Sequence, residues 1–436
     1  MLTERLVSAA VRIGSRHAMQ LEPTGEDFVL PAPRAGRRYL LYVHVPFCPV
    51  LCPFCSFHRV ELREDKSRRY FPALWRQIES YADAGFQLSG VYVGGGTPTA
   101  DPDALRTTLA LIRRRFGVLP ISVETNPSDL RPGIADMLVE AGVSRLSVGV
   151  QSFDDELLHR MGRYEKYGSG IEVRERLRSV AGMFPTLNVD MIFNLPGQSA
   201  AALERDVQAI IDEPSIDQVS FYPLMSTAAT RRAMRDSMGH AAADHEADYF
   251  QRLRSGLERT YRPSSAWCFS RHGGMIDEYI VTDDEYLGAG SGAFGYLDGT
   301  FYSNTFSLAR YEALAGSGRS PVTMYRRMGQ RERMRYDFLV KLFGLAIGKA
   351  ELEDKYGGRF LRAMWPEIAF FKALGALRDD GERLSLTESG MYAWVVMMRE
   401  FLSGVNRFRE QLRLNIRDEY STAGLRARRL AAEALE

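Results

Sequence analysis

Tyr39-Leu40-Leu41-Tyr42-Val43-His44-Val45-Pro46-Phe47-Cys48-Pro49-Val50-Leu51-Cys52-Pro53-Phe54-Cys55 runs from an apolar, β-rich segment straight into three cysteines. Residues 39–45 read as a strand. The eight residues that end at Cys55 contain three of the chain's four cysteines. A Cys-x3-Cys-x2-Cys run places three thiolates on one short loop. There they can ligate three irons of a [4Fe–4S] cube and leave the fourth iron open. A disulfide needs an even set of partners, and zinc needs a fourth ligand at metal-site spacing. Cys268 is distant in sequence, and His44 and His58 flank the loop without forming such a pair. Cys48, Cys52 and Cys55 are therefore the expected metal ligands.

Outward from this stretch, strand and helix patterns alternate six times. Strands are expected at 39–45, 90–93, 121–124, 145–150, 187–193 and 218–222. Helices are expected at 70–84, 103–116, 132–141, 154–160, 172–181 and 201–211. Such alternation demands right-handed parallel crossovers. Six units make a partial, TIM-like (β/α)6 barrel, and ligands of such folds gather at the C-terminal ends of the strands. After residue 222 the rhythm changes. A long helix is expected at 240–259, an extended segment at 263–271, a glycine-rich stretch at 286–295 and a loop tip at 316–320. From residue 331 the chain reads as helical. A strand-turn-strand follows at 376–386, around Asp379-Asp380-Gly381. Thr387 then caps a final helix with Glu388 in its first turn, and the polar tail after Asn415 is expected to fray. The chain divides into an N-terminal extension (1–38), a core (39–225), a barrel-completing, substrate-facing extension (226–325) and a C-terminal helical and winged domain (326–436).

Composition excludes several classes. A net charge of +1 gives no electrostatic case for nucleic acid or an anionic membrane as partner. The apolar run at 392–398 is far too short to span a bilayer. Residues 1–20 are mildly amphipathic, contain Glu4 and lack a secretory apolar core. Cysteines committed to a cluster fit a reducing cytoplasm.

Tyr42-Val43-His44-Val45-Pro46-Phe47-Cys48 leads into the loop, and Gly94-Gly95-Gly96-Thr97-Pro98-Thr99 follows about forty residues later. In this order the motifs resemble those of the radical S-adenosylmethionine (SAM) enzymes. Within them they resemble the branch of the oxygen-independent coproporphyrinogen III oxidases, the HemN-like proteins, from about Tyr39 to the C-terminal region. The resemblance implies a (β/α)6 core, a winged-helix-like α+β C-terminal domain, a [4Fe–4S] cluster and SAM chelated to its open iron. One electron from an outside donor, such as a flavodoxin or ferredoxin, cleaves SAM to a 5′-deoxyadenosyl radical. The chemistry is the cofactor's; the protein aims it and keeps water away.

The same resemblance implies roles for individual residues. Gly95, Gly96 and Thr97 receive the SAM amino group or lie near a second SAM, and glycines at a strand end let a ligand approach the backbone. Glu124, closing the third strand in Val123-Glu124-Thr125-Asn126-Pro127, can accept both ribose hydroxyls. Gln151 and Asp190 bind ribose or amino groups, and Arg163 pairs with a SAM carboxylate. Tyr42 and Phe54 support the SAM molecules near the sulfonium. Arg163 alternatively reads as one surface cation among Arg160 and Lys166. Cys268 is a candidate methyl-carrying thiol, with a packing residue as the alternative reading, and His272 is a candidate for the substrate loop.

One position departs from the family. Coproporphyrinogen oxidases carry a further cysteine two residues after the cluster loop, where this chain has Phe57 in Cys55-Ser56-Phe57-His58. A Cys-x-Phe pattern resembles the class C radical SAM methyltransferases and the HemW-like haem chaperones. The function expected is therefore class C methyl or methylene transfer with two SAM molecules to an sp2 carbon of an aromatic or conjugated small molecule. Natural-product biosynthesis is the expected setting and a monomer the expected state. Coproporphyrinogen III dehydrogenation and haem chaperoning are the alternatives.

Overall fold

The computed structural model describes residues 21–25, 28–225, 227–239, 245–272 and 279–433. The six expected strands form as β1 (Tyr39–Val45), β2 (Leu88–Gly95), β3 (Ile121–Thr125), β4 (Arg145–Gln151), β5 (Thr186–Phe193) and β6 (Gln218–Pro223). They pair in parallel and in chain order. Every residue of β1 is buried. That is why its sequence is a continuous apolar run rather than an alternation: a parallel strand is covered on both faces. The crossover helices include Glu64–Asp83, Pro102–Phe116, Pro132–Glu140 and Ala200–Ile211. Glu64–Asp83 begins six residues before the expected start, because its first turn carries Glu64 and Asp65, favourable near a helix N-terminus but invisible to an apolar pattern.

The sheet does not close. Beyond β1 it continues with Tyr286–Ala289, which is parallel to β1, and beyond β6 with Cys268–Ser270, antiparallel to it. Strands from both sides of residue 225 thus share one sheet. The helix expected at 240–259 is shorter, Glu246–Leu257, and a helix that was not expected, Ala228–Met238, precedes it. Residues 240–244 of that expectation lie outside the described residues. In the extended 263–271 segment a turn intervenes, closed by Ser264 N–H donating to the Cys268 carbonyl at 2.8 Å.

The C-terminal part pairs Ala346–Gly348, Arg383–Leu386 and Leu377–Asp379 in a small antiparallel sheet. Ala346–Gly348 escaped the sequence reading because three residues carry no alternation. Thr387 caps the last helix, its Oγ1 accepting from Gly390 N–H at 3.0 Å. That helix, α1 here, runs Glu388–Glu433, past the point where fraying was expected. Met391, Trp394, Val395, Met398, Phe401, Val405 and Phe408 are buried along it at helical spacing.

A buried carboxyl sets the end of β4. Asp206, on Ala200–Ile211, accepts from Phe153 N–H at 2.7 Å and Ser152 Oγ at 2.8 Å. Burial pushes its proton affinity up, to a pKa of about 7. The folded state then retains a proton that the unfolded chain releases near 3.8. The associated stability is complete below that value and is lost as pH rises through about 7. Asp206→Asn should therefore remove part of the fall in melting temperature between pH 5.5 and 8, read by thermal denaturation of both proteins at the two pH values.

Candidate active site

The cysteine loop is held shut at its base. Phe47–Cys48 pairs in parallel with Val60–Glu61, and Leu62 N–H donates to the Cys48 carbonyl at 2.8 Å. Arg59 spans the loop, its Nη2 donating to the carbonyls of Cys52 and, at 2.8 Å, Cys55. Cys48, Cys52 and Cys55 are free thiols that face one cavity. Among the described residues no three His, Cys, Asp or Glu side chains converge on a single metal ion. A cube does not require that, because each cysteine ligates a different iron. Burial pushes the Cys48 thiol up to about 11, so iron has to displace a firmly held proton there.

A chain of polar contacts joins two of the sulfurs. Thr97 Oγ1 approaches Cys48 Sγ at 3.6 Å and accepts from Asn126 Nδ2 at 2.8 Å. The amide oxygen of Asn126 accepts from Arg163 Nη2 at 3.3 Å, and Arg163 Nη1 lies 3.8 Å from Cys52 Sγ. Lys166 Nζ reaches the same sulfur at 3.7 Å. Two cations and a hydroxyl thus point at sulfur that becomes anionic when it binds iron. These donors fit a cluster.

The remaining expected residues come from successive strand ends. Gly95 ends β2 and Gly96 and Thr97 follow it, Glu124 is in β3, Gln151 ends β4 and Asp190 lies in β5; with Phe54 and Arg163 all line this cavity. Glu124 accepts from Tyr92 OH at 2.8 Å and Gly95 N–H at 3.0 Å. Asp190 accepts from Ser147 Oγ and Asn188 Nδ2, both at 2.9 Å. Gln151 has φ 77° at a register shift in the β4–β5 pairing, a left-handed conformation uncommon for a side chain larger than glycine. Arg163 is buried against the Gly149 carbonyl and the Tyr167 ring, so the surface-cation reading fails.

The glycines also have a packing role. A β-carbon on Gly94 would fall 2.5 Å from the Glu124 carboxylate, one on Gly95 2.5 Å from the His44 ring, and one on Gly96 2.6 Å from the Phe47 carbonyl. Their absence lets the strand end pack against the carboxylate and the cysteine loop.

Three expected residues stand elsewhere. Tyr42 is outside the cavity lining; its hydroxyl meets His44 Nδ1 at 2.8 Å, and Tyr92, across the strand pair, takes the lining position. Cys268 is fully buried, with Ser220 Oγ 3.7 Å from its sulfur, and does not line the cavity; that removes the methyl-carrying thiol. His272 is exposed and likewise outside the lining. Sequence reading passed over Tyr92, Asn126, Lys166 and Tyr222. Asn126 stood inside a quoted motif, and its carbonyl-and-amide side chain was the available signal.

Residues 42–210 match the family model described as the radical SAM superfamily. The chain is 30% identical to the heme chaperone HemW of Mycobacterium tuberculosis over 85% of this chain and 96% of that protein. It belongs to the radical SAM superfamily, in its HemN-like branch. An anaerobilin synthase of Escherichia coli O157:H7 is 26% identical, over 86% of this chain and 85% of its own length. The crystal structure of the coproporphyrinogen III oxidase HemN from Escherichia coli superposes with a TM-score of 0.70 at 21% identity, over 84% of this chain and 90% of that one. The fold is that of HemN: a partial barrel with a C-terminal helical domain. The cofactors of this HemN-like chain are a [4Fe–4S] cluster and SAM, as for its family. No helix among the described residues is long and apolar enough to cross a membrane.

Proposed function

We propose that this HemN-like protein is a radical SAM enzyme that modifies a tetrapyrrole. The make-up of its cavity carries the reading. One lining combines the three cysteines, Glu124, Gln151, Arg163 and Asp190 with the apolar side chains of Phe54, Phe57, Ile192, Tyr222, Leu224 and Met225. The names of the relatives, a heme chaperone and a coproporphyrinogen III oxidase, supply the substrate class.

Bound together, cluster and SAM supply one-electron reductive cleavage of the sulfonium and hence hydrogen-atom abstraction. The chain's own residues do the rest. Cys48, Cys52 and Cys55 hold iron, while Thr97, Arg163 and Lys166 donate toward the sulfurs. Glu124, fixed by Tyr92 and Gly95, presents a carboxylate to the ribose hydroxyls. Asp190 and Gln151 orient the remaining polar groups. The apolar side chains of the lining exclude water and suit a conjugated ring.

Class C methyl transfer with a second SAM is the second reading. Phe57 favours it, lining the cavity where coproporphyrinogen oxidases carry cysteine. Anaerobic incubation with SAM, dithionite and either coproporphyrinogen III or haem tests both. Deoxyadenosine with CO2 marks the dehydrogenase, and deoxyadenosine with S-adenosylhomocysteine and a methylated pigment marks the methyltransferase. Haem bound tightly and unchanged, with no deoxyadenosine, would overturn both in favour of a chaperone.

A further inference from the structure

The glycine-rich stretch at 286–295 lies outside the cavity lining. It packs instead behind the cysteine loop. Tyr286–Ala289 runs parallel to β1, and the chain then turns through Gly290, Ser291 and Gly292. Both glycines take positive φ, 105° and 72°. A β-carbon on Gly290 would fall 2.4 Å from the His44 carbonyl oxygen, and one on Gly292 2.6 Å from the His58 ring. The turn is a socket that admits no side chain on either side of Ser291.

Two buried imidazoles occupy it. His44 comes from β1 and His58 from the limb that leaves the loop after Cys55, and the rings stack 5.7 Å apart. His44 Nε2 lies 2.8 Å from the His58 carbonyl, which can only accept, so the proton is on Nε2. Nδ1 then accepts from the Tyr42 hydroxyl at 2.8 Å. Ser291 Oγ donates to the Thr305 carbonyl at 2.9 Å and accepts from His58 Nε2 at 3.2 Å. Ser291 N–H donates to Tyr70 OH at 3.0 Å, and Tyr70 OH donates to the His44 carbonyl at 2.7 Å. Four hydrogen bonds thus close a circuit from His44 to His58, Ser291, Tyr70 and back. It joins β1, the loop limb, the Glu64–Asp83 helix and the glycine-rich stretch. His58 Nδ1 has no partner among the described residues, so the bond to Ser291 is what fixes that ring's orientation. Burial keeps both rings neutral, holding His44 at about 4 and His58 well below its ordinary value.

We propose that His58 and Ser291 are positioning residues for the iron–sulfur cluster: the Gly290-Ser291-Gly292 socket fixes the limb after Cys55, and with it the place of that sulfur relative to the strand ends. The match to the radical SAM family model ends at residue 210, so the part that holds the loop from behind comes from outside that match. This rests on the cluster and is independent of which substrate the cavity takes.

Iron release to a chelator from the reconstituted full chain tests the socket, together with the electron paramagnetic resonance spectrum of the reduced cluster before SAM is added. Ser291→Ala removes the acceptor, and His58→Leu removes the donor. Each should release iron about tenfold faster than wild type, the size expected when a buried hydrogen bond is lost, and should broaden the spectrum. His58→Gln should return most of the difference, since its amide nitrogen can donate at about the reach of the imidazole Nε2. Packing alone would favour leucine over glutamine there. Cys268→Ala, buried in the same sheet but outside the circuit, should leave both readouts unchanged. Wild-type iron release in Ser291→Ala, or release from His58→Gln as fast as from His58→Leu, overturns the proposal. Ser291→Ala, the loss of one oxygen atom, carries the test if His58→Leu does not fold.

Discussion

Cys52→Ala is expected to abolish SAM cleavage. After anaerobic reconstitution the wild-type chain should carry about four irons and four sulfides, bound by three cysteines. The variant should lose the spectrum of a stable cube and form no measurable deoxyadenosine. Cys52 is the most demanding of the three to remove, because Arg163 and Lys166 both point at its sulfur. Without it two cations are left facing a methyl group in a partly closed cavity, a costly arrangement. Cys268→Ala is the matched comparison: a buried thiol in a strand pair, whose removal should leave iron and sulfide content unchanged. Iron analysis, visible spectra and chromatographic assay of deoxyadenosine check all of this. Full SAM cleavage by Cys52→Ala would defeat the cluster assignment.

Arg163→Ala is the second large effect. Its side chain joins Cys52 Sγ, the Asn126 amide, the Gly149 carbonyl and the Tyr167 ring in one contact set. It therefore ties the cluster loop to the ends of β3 and β4, where a SAM carboxylate can also be received. Losing one preorganised donor of this kind costs about 10²–10³ in turnover. Formation of altered pigment should fall by about that factor, and the electron paramagnetic resonance signal that SAM induces in the reduced cluster should change shape. Arg163→Lys should recover little, because an ammonium cannot span the three acceptors as a planar fork does. If methyl transfer is the reaction, SAM deuterated at its methyl should put deuterium into deoxyadenosine in wild type and much less in Arg163→Ala. An unchanged turnover and an unchanged signal in Arg163→Ala would reduce this residue to packing.

The parallel core was legible because its signals are local. β1 is apolar throughout since both its faces are covered, and each crossover helix carries its own periodicity. The cysteine loop was legible because thiolate spacing is a short-range property. Assigning Glu124, Gln151, Arg163 and Asp190 needed a family pattern; the fold then brings these distant segments to one cavity. What escaped the sequence depends on tertiary pairing. Tyr42 and Tyr92 are partnered on neighbouring strands and face the same side, and strand order decides between them: β2, with Tyr92, adjoins β3, which carries Glu124. Cys268 looked chemically interesting until its strand proved to be tucked against Ser220. Arg409 and Arg413 lie in the final helix, ahead of the tail expected to fray, and nothing local shows that this helix returns to the cavity mouth beside Phe57.

The central claim is that the cysteines, the polar residues and the apolar side chains that line this cavity form one reaction chamber. The most direct measurement is an anaerobic time course of deoxyadenosine formed and tetrapyrrole altered, with coproporphyrinogen III and with haem, against SAM and reductant alone. The two products should rise together in a constant ratio, with deoxyadenosine formation stimulated about tenfold or more by the tetrapyrrole that is the substrate. Deoxyadenosine accumulating at the same rate with and without either tetrapyrrole, while both pigments keep their mass, would contradict the account.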